Sequence, residues 1–424
     1  MTTMRLLLGN KFWYAKGGVE TYLFELIEEL PSHGYDVVPF AMKHARNLPS
    51  EYASFFVDEV DYHAPQSWPA KLQMATRMIY SRHAAAKIAA LVNAHPPDLA
   101  HLHNIYHQLS PAILPFLAER KIPVVMTLHD LKLACPNYKM RTDGQICERC
   151  INGGYQHAVI HRCVRDSFTA SALCAVELFA HRAMRLYEDN VHRFIVPSRF
   201  YLQKMIEAGL PASKLTWIPS FTHIDRYIPR YDDDGYFVYI GRLSDEKGLP
   251  TLVQAVRGFD KGSLLIVGEG PLREPLERMV EGEQLQNVRI LGPRWGSELV
   301  ELMRGARFSV IPSEWYENCP RSCIESFACG KPVIGANIGG IPEMVDDGES
   351  GLLFTPFSAN DLRAKIDYLF DRPALAVQMG RAARAKAARE YSPESHLERL
   401  LAVYDEALGR GSHAHALATS ALTH

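Results

Sequence analysis

Short β-rich runs alternate with longer amphipathic stretches along most of this chain, and this alternation restricts the possible folds more than any other feature. It is typical of parallel βαβ units, because a strand that returns parallel to its neighbour needs a crossover helix. A first series of predicted strands covers residues 5–9, 37–40, 97–103, 123–128 and 193–196. A second series covers residues 236–240, 263–267, 288–291, 308–311 and 332–335.

The two series predict an α/β protein of two doubly wound, Rossmann-like domains that face each other across a cleft. The Pro- and Asp-rich stretch 229–235 separates the series, so we place the domains at residues 1–220 and 235–390. A helix expected over 392–408 follows the last predicted strand and is expected to pack back on the first domain. The Ala-, Ser- and His-rich tail 409–424 is predicted to be disordered.

Positive and negative charges are nearly balanced, with 46 Lys and Arg against 48 Asp and Glu. This balance argues against nucleic acid as a partner bound through bulk charge. The N-terminal apolar run is too short for an export signal or a membrane span, which predicts a cytoplasmic location. Residues 160–195, which include a helix expected over 167–187, and the helix expected over 70–92 are basic. They either face anionic lipids at the inner face of the cell membrane or are solvated helix faces.

Each predicted domain has a glycine-containing turn after its first strand. Gly17 and Gly18 precede a helix, where free backbone N–H groups and the helix N-terminus favour a phosphate. Arg242 and Lys247 flank the turn of the second domain and can converge on one anion. The alternative interpretations are a tight structural turn and a solvated charged loop. If both turns bind, they hold one diphosphate from the two sides of the cleft.

The most distinctive motif contains Glu317 and Glu325, eight residues apart. Pro320 suits the first turn of a helix that a glycine ends, so Glu317 lies in the preceding loop and Glu325 inside the helix. The free N–H groups around Arg321 and Ser322, at the start of this helix, are additional donors. The two carboxylates are therefore expected to face different parts of one ligand.

In combination, these motifs resemble those of the family-4 group of retaining, nucleotide-sugar-dependent glycosyltransferases with a GT-B fold, of the kind used in bacterial polysaccharide and glycolipid synthesis. The similar segments are 17–20, 241–248, 267–271, 317–334 and 339–343. The resemblance implies that the first domain binds the acceptor and the second binds the nucleotide sugar. It further implies a UDP- or GDP-sugar as donor.

The resemblance also implies a role for each matched residue. Arg242 and Lys247 would bind the donor diphosphate, Glu317 the hydroxyls of the transferred sugar, and Glu325 the nucleotide ribose. His129 closes the strand at 123–128 and would contact the donor sugar or the acceptor. The predicted catalytic residues are thus His129, Arg242, Lys247 and Glu317. The predicted donor-binding residues are Gly17, Gly18, Arg242, Lys247, Arg321, Ser322 and Glu325.

Breaking the anomeric C–O bond leaves a cationic sugar and an anionic nucleoside diphosphate. Arg242, Lys247 and the helix N-termini are suited to stabilise that leaving group. No Asp-x-Asp dyad lies at the end of a predicted strand, so no catalytic metal is expected. The resemblance implies that the anomeric configuration is retained, with departure and attack on one face of the sugar.

Four of the eight cysteines cluster after His129 with the spacing C-x11-C-x2-C-x12-C; they are Cys135, Cys147, Cys150 and Cys163. This spacing fits a structural Zn²⁺ site that would stabilise an insertion rather than take part in catalysis. Four unrelated free thiols, or an oxidised pair, fit it as well.

The expected function is transfer of a sugar from a UDP- or GDP-sugar to a glycan acceptor. That acceptor is lipid-linked if the basic segments face a membrane. Two alternatives stay open: a GT-B-fold sugar-nucleotide epimerase or hydrolase, and a non-catalytic sugar-nucleotide-binding scaffold. The presence of all four residues Arg242, Lys247, Glu317 and Glu325 argues against the scaffold.

Overall fold

A computed structural model describes residues 3–60 and 68–410, with the side chains of the second range described from residue 74 onward. Two six-stranded, fully parallel sheets each form a Rossmann-like domain, which confirms the predicted fold class. The predicted disordered tail falls almost entirely on residues 411–424, outside the described residues. In the described ranges, no helix is long and apolar enough to cross a membrane.

The strands of the first domain are β1 (Met4–Gly9), β2 (Tyr35–Phe40), β3 (Leu99–Leu102), β4 (Val124–Thr127), β5 (Arg141–Thr142), β6 (Gln145–Ile146), β7 (Arg193–Val196) and β8 (Leu215–Trp217). Six of them form a sheet with the order β2-β1-β3-β4-β7-β8, and β5 and β6 form a separate two-stranded hairpin after β4 in the chain. The helices are α1 (Gly18–Glu29), α2 (Trp68–Ile79), α3 (Arg82–Ala94), α4 (Ile113–Glu119), α5 (Gln156–Ile160), α6 (Phe168–Ala183), α7 (Leu186–Asn190) and α8 (Arg199–Glu207).

The second sheet has the order β11-β10-β9-β12-β13-β14. Its strands are β9 (Tyr236–Ile240), β10 (Ser263–Val267), β11 (Val288–Gly292), β12 (Ala306–Ile311), β13 (Val333–Ala336) and β14 (Gly351–Phe354). The helices are α9 (Leu249–Ala255), α10 (Arg273–Gly282), α11 (Gly296–Gly305), α12 (Arg321–Ala328), α13 (Ile341–Met344), α14 (Ala359–Phe370), α15 (Pro373–Glu390) and α16 (Pro393–Ala407).

The central strands are apolar at successive positions because helices cover both faces of each sheet. In β1, Leu7 packs into the core on one face of the sheet, whereas Leu6 and Leu8 pack into the core on the other. All three side chains are fully buried. Since the strands are parallel, their carboxyl ends lie at one edge of each sheet, and the candidate site residues follow those ends.

The last helix, α16, crosses from the second domain back to the first. Leu397 and Leu400 join the same core as Leu6 and Leu8. His396 Nε2 lies 3.0 Å from the Tyr22 hydroxyl on α1. The second domain is therefore flanked by two connections to the first, one before β9 and one after α15.

Two predicted helices are shorter than expected. The helix expected over 70–92 is two helices, because Ser81 interrupts it and caps α3 by accepting a hydrogen bond from the Ala84 N–H, 3.1 Å away. The helix expected over 167–187 ends at Ala183, because Arg185 has a left-handed backbone with φ of 50°. Strands β8 and β14, of three and four residues, were not predicted.

Candidate active site

The turn after β9, residues 241–248, is held tightly against the end of β12. Gly248 has φ of +67°, and a Cβ atom there would lie 1.9 Å from the Pro312 carbonyl oxygen, so only glycine fits. This close approach brings two predicted site residues together. Lys247 Nζ donates a hydrogen bond to Glu317 Oε1 over 2.6 Å, although the two residues are 70 positions apart in the chain.

Glu317 is buried, and its carboxylate also accepts a hydrogen bond of 2.6 Å from the Ser313 hydroxyl. Two glycines pack against the backbone on either side of it. A Cβ atom on Gly339 would lie 2.6 Å from the Glu317 nitrogen and oxygen, and one on Gly340 would lie 1.9 Å from the Asn318 oxygen. The carboxylate is therefore fixed in position before any ligand binds.

Arg242 is exposed, and no carboxylate within the described part of the chain pairs with it. Its charge acts on Lys16, which stands just before the Gly17-Gly18 turn of the first domain. Partial burial lowers the pKa of Lys16, and the positive charges of Arg46 and Arg242 lower that pKa further. Burial and the charge of Lys16 likewise lower the pKa of Lys11. These cations mark the cleft as a place that favours an anion.

Three of these cations were not predicted as site residues from the sequence: Lys11, Lys16 and Arg46. Lys16 stands directly before the glycine pair, and that adjacency was the available signal. Gly17 is the N-cap of α1 and has an extended backbone, and no side chain caps the first N–H groups of the helix. A Cβ atom on Gly18 would lie 3.9 Å from Arg321 Cβ. The Gly17-Gly18 turn of the first domain and the start of α12 in the second domain are thus close neighbours.

The Arg321 guanidinium connects the two domains, a role that sequence reasoning did not assign to it. It donates to Glu25 Oε2 of α1 over 2.9 Å, to Glu325 Oε1 over 2.7 Å and to the Thr222 hydroxyl over 2.7 Å. Burial raises the pKa of Glu325, and the Arg321 charge opposes that rise. The structure therefore places Glu325 one turn after Arg321 and paired with its side chain, and no side chain caps the first N–H groups of α12, where Arg321 and Ser322 lie.

His129 follows β4, and its half-buried imidazole packs on the buried imidazole of His103. Its Nε2 lies 3.0 Å from His103 Nδ1, and the two rings are stacked. Burial lowers the pKa of His129 to about 3, so the ring is neutral at neutral pH. Asn318, next to Glu317, donates a hydrogen bond of 3.1 Å to the Leu128 carbonyl. His129 is thereby held at the wall of the cleft that faces the Glu317 loop.

The four clustered cysteines line one small cavity together with His157, which sequence reasoning did not include; they are Cys135, Cys147, Cys150 and Cys163. All four are free thiols. Burial raises the pKa of Cys135 to about 11 and that of Cys150 to about 12. Throughout residues 3–60 and 68–410, no three His, Cys, Asp or Glu side chains are already arranged around a metal position. The zinc site stays a prediction.

This fold and cleft are those of GT-B glycosyltransferases. The structure resembles sucrose-phosphate synthase from Thermosynechococcus elongatus, with a TM-score of 0.72, 21% identity, and coverage of 96% of this chain and 100% of that one. It also resembles Anabaena HepE in complex with UDP-glucose, with a TM-score of 0.67, 18% identity, and coverage of 95% and 100%.

Sequence comparison gives the family. The profile of Glycosyltransferase Family 4 matches residues 16–226, and that of Glycosyl transferases group 1 matches residues 221–386. An uncharacterised glycosyltransferase of Methanocaldococcus jannaschii is 31% identical over 41% of this chain and 49% of its own length. The match thus spans about half the length of that relative. The chain belongs to the family-4 glycosyltransferases.

Proposed function

We propose that this glycosyltransferase moves a sugar from a UDP- or GDP-sugar to a glycan acceptor and retains the anomeric configuration. The observation that carries the proposal is the Lys247–Glu317 pair, fixed at the wall of a cationic cleft beside the exposed Arg242. A buried carboxylate next to free cations suits a neutral sugar attached to a diphosphate. The similarity to HepE, solved with UDP-glucose, supports a nucleotide sugar as donor.

In this proposal, the first domain binds the acceptor and the second binds the donor. Arg242 and Lys247 take up the negative charge that develops on the diphosphate as the anomeric C–O bond breaks. The free N–H groups at the starts of α1 and α12 add donors around the same oxygens. The Glu317 carboxylate accepts hydrogen bonds from sugar hydroxyls, and Glu325 accepts them from the ribose. The chain's own cations supply the charge, so the proposal needs no catalytic metal.

His129 acts in this proposal as a neutral hydrogen-bonding group towards the sugar or the acceptor. Its low pKa means that it holds no extra proton to give at neutral pH. Its Nε2 is engaged by His103, and its Nδ1 forms no hydrogen bond with any described residue. The ring is therefore ready to orient a hydroxyl without adding a charge near the cationic sugar.

A panel of UDP- and GDP-sugars tests the proposal. We expect one of them to raise the melting temperature, and the product with an added acceptor to gain one sugar by mass. NMR of that product should show the same anomeric configuration as the donor. Release of free sugar without transfer, or inversion at C2, would instead favour a hydrolase or an epimerase. Binding without turnover with every acceptor would favour a scaffold.

We propose that the acceptor is lipid-linked and that the protein docks on anionic lipid through α6. Large apolar side chains are unusually exposed there: Phe168 by 60% and Phe179 by 64%, with Ile160 of α5 exposed by 67%. Arg162 and Arg165, in the connection between α5 and α6, are exposed as well. An exposed apolar helix face beside arginines suits the boundary between headgroups and acyl chains.

Sedimentation with vesicles tests this docking. We expect the protein to bind phosphatidylcholine vesicles that contain phosphatidylglycerol, and Phe179→Ser to weaken that binding several-fold. Trp295→Ser is the matched control, because Trp295 is even more exposed than Phe179 but lies at the start of α11 in the second domain. Equal binding of both variants would contradict the proposed surface.

We propose that the four cysteines bind a structural Zn²⁺ ion. The support is that all four reach one cavity and are free. Burial raises the pKa of the Cys135 and Cys150 thiols, so these two are protonated without a metal, and a bound cation would favour their thiolate form. Elemental analysis should find about one zinc per chain, and the double variant Cys147→Ser/Cys150→Ser should lose it. A zinc-free wild-type protein would contradict the site.

A further inference from the structure

The cysteine-bearing insertion, residues 131–165 between β4 and α6, reaches across the cleft to the 241–248 turn. Lys139 Nζ lies 2.9 Å from Glu246 Oε2, and Arg141 Nη1 lies 2.6 Å from Asp245 Oδ2. Both carboxylates belong to the one-turn helix that ends with Lys247. The first domain thus contacts the two residues that directly precede the lysine of the proposed diphosphate site.

The sequence of the insertion explains why it holds these positions. Its tip is the hairpin β5-β6, and Asp143 and Gly144 both have positive φ, as a tight two-residue hairpin requires. Ile146 on β6 packs against the apolar core of the second domain. The Tyr316 hydroxyl donates a hydrogen bond of 2.6 Å to Glu148. The hairpin is therefore anchored on the second domain by apolar and polar contacts as well as by charge.

The two carboxylates create an electrostatic problem for a diphosphate site. Asp245 and Glu246 place two negative charges next to Lys247. There they would repel an anionic ligand and weaken its electrostatic attraction to the lysine. Glu246 is also buried, so an unpaired charge there would be costly. Lys139 and Arg141 bring two positive charges to the same place. Arg141 also approaches Glu314, at 3.6 Å.

We propose that Arg141 and Lys139 of the insertion are positioning residues of the sugar-transfer reaction. They neutralise Asp245 and Glu246. The charge of Lys247 then stays available to the donor diphosphate. The inference rests on the proposed function of the cleft, because it needs a diphosphate there. Neither residue touches the donor in this arrangement. Each acts through the carboxylate that it pairs.

Nucleotide binding by the full-length protein tests the inference. We expect Arg141→Gln to weaken UDP or GDP binding, measured by calorimetry, by about tenfold, as for unpairing one carboxylate. Binding of the corresponding monophosphate should weaken less, because it carries less charge. Arg149→Gln is the matched control: Arg149 lies in the same insertion, is exposed, and contacts His161 rather than the second domain. Equal losses in both variants would overturn the inference.

A rescue experiment separates neutralisation from a merely structural role. Asp245→Asn alone should leave nucleotide affinity unchanged or higher, because Asp245 is exposed and its charge opposes the ligand. The double variant Arg141→Gln/Asp245→Asn should regain most of the lost nucleotide affinity. Its KM for the donor should return close to that of the wild type, with kcat little changed. A double variant as weak as Arg141→Gln would overturn the inference while leaving the proposed function intact. A wild-type protein that binds neither UDP nor GDP would overturn both.

Discussion

The two walls of the cleft differ in how they carry charge. On the wall of the second domain, Lys247 and Glu317 are ionic partners at 2.6 Å, and Arg242 is exposed beside them. On the wall of the first domain, burial holds the pKa values of the His103 and His129 imidazoles far below the usual value. The first domain carries its cations elsewhere, at Lys11, Lys16 and Arg46 near the Gly17-Gly18 turn. The Glu317 side of the cleft therefore offers fixed charge, and the end of β4 offers neutral hydrogen-bonding groups.

This difference matches the chemistry of a sugar nucleotide. Fixed cations are useful where a diphosphate leaves, whereas a positive charge beside the anomeric carbon would oppose the cation that forms there. Burial keeps the imidazoles of His103 and His129 neutral, and Tyr22 of α1 packs edge-on against both rings. The following predictions test whether each wall behaves in this way.

The largest effect is expected from Lys247→Ala. It removes a cation from the diphosphate site and leaves the buried Glu317 carboxylate without its partner, so we expect kcat to fall by about 10²–10³. Steady-state rates with the donor found in the panel measure this. Lys261→Ala is the control, because Lys261 is a lysine of the same domain that pairs with Asp371 at the surface. Transfer at the wild-type rate would show that the site assignment is wrong.

An intermediate effect is expected from acid. Burial lowers the pKa of His101 and His129 to about 3 and that of His396 to about 4. Below about pH 6.5 the unfolded chain takes up protons that these folded imidazoles do not, so stability falls as pH falls towards 4. We expect a loss on the order of 1–2 kcal/mol per histidine between pH 7.5 and 5.

Urea unfolding at the two pH values measures this loss. The variant His396→Gln should lose less stability on acidification than the wild type, because glutamine does not titrate. His33→Gln is the control, since the His33 side chain lies exposed at the surface. Equal acid sensitivity of all three proteins would contradict a folded state in which these imidazoles stay neutral.

The smallest effect is expected from Ser313→Ala. It removes one of the two hydrogen bonds to Glu317 Oε1 but leaves Lys247 in place. We expect kcat/KM to fall several-fold, which corresponds to about 1 kcal/mol. The exposed Ser297 provides the control Ser297→Ala. A loss as large as that of Lys247→Ala would mean that Ser313 has a greater part in the charged wall than its single contact indicates.

Much of the fold could be predicted because buried parallel strands leave a plain sequence signal. Strands β1, β9 and β10 each contain a continuous apolar run that ends directly before a glycine. Strand β8 has only three residues, too few to show any period. The break at Ser81 depends on its side-chain cap, and the Ser81 N–H donates a hydrogen bond to the Ser110 hydroxyl, 29 positions further along the chain. Such a tertiary contact is invisible in the local sequence.

The residues of the site could be predicted from the sequence, but their contacts could not. Motif and spacing identify Glu317, Lys247 and the glycine turns, since each follows a predicted strand. Their pairing could not, because it depends on the close approach of Gly248 to Pro312. The interdomain contact of Arg321 with Glu25 was equally out of reach, as the two residues lie 296 positions apart. Spacing along the chain indicates candidates, and packing decides which of them meet.

The return of α16 to the first domain has a consequence for how the molecule comes apart. A single cut in the 229–235 segment would not separate the halves, because the buried side chains Leu397, Leu400 and Tyr404 would still fasten the far end of the polypeptide to the first sheet. Because two chain connections join the domains, any opening of the cleft is confined to a rotation of one domain about those connections. A nicked protein should consequently run as one particle until denaturant is added.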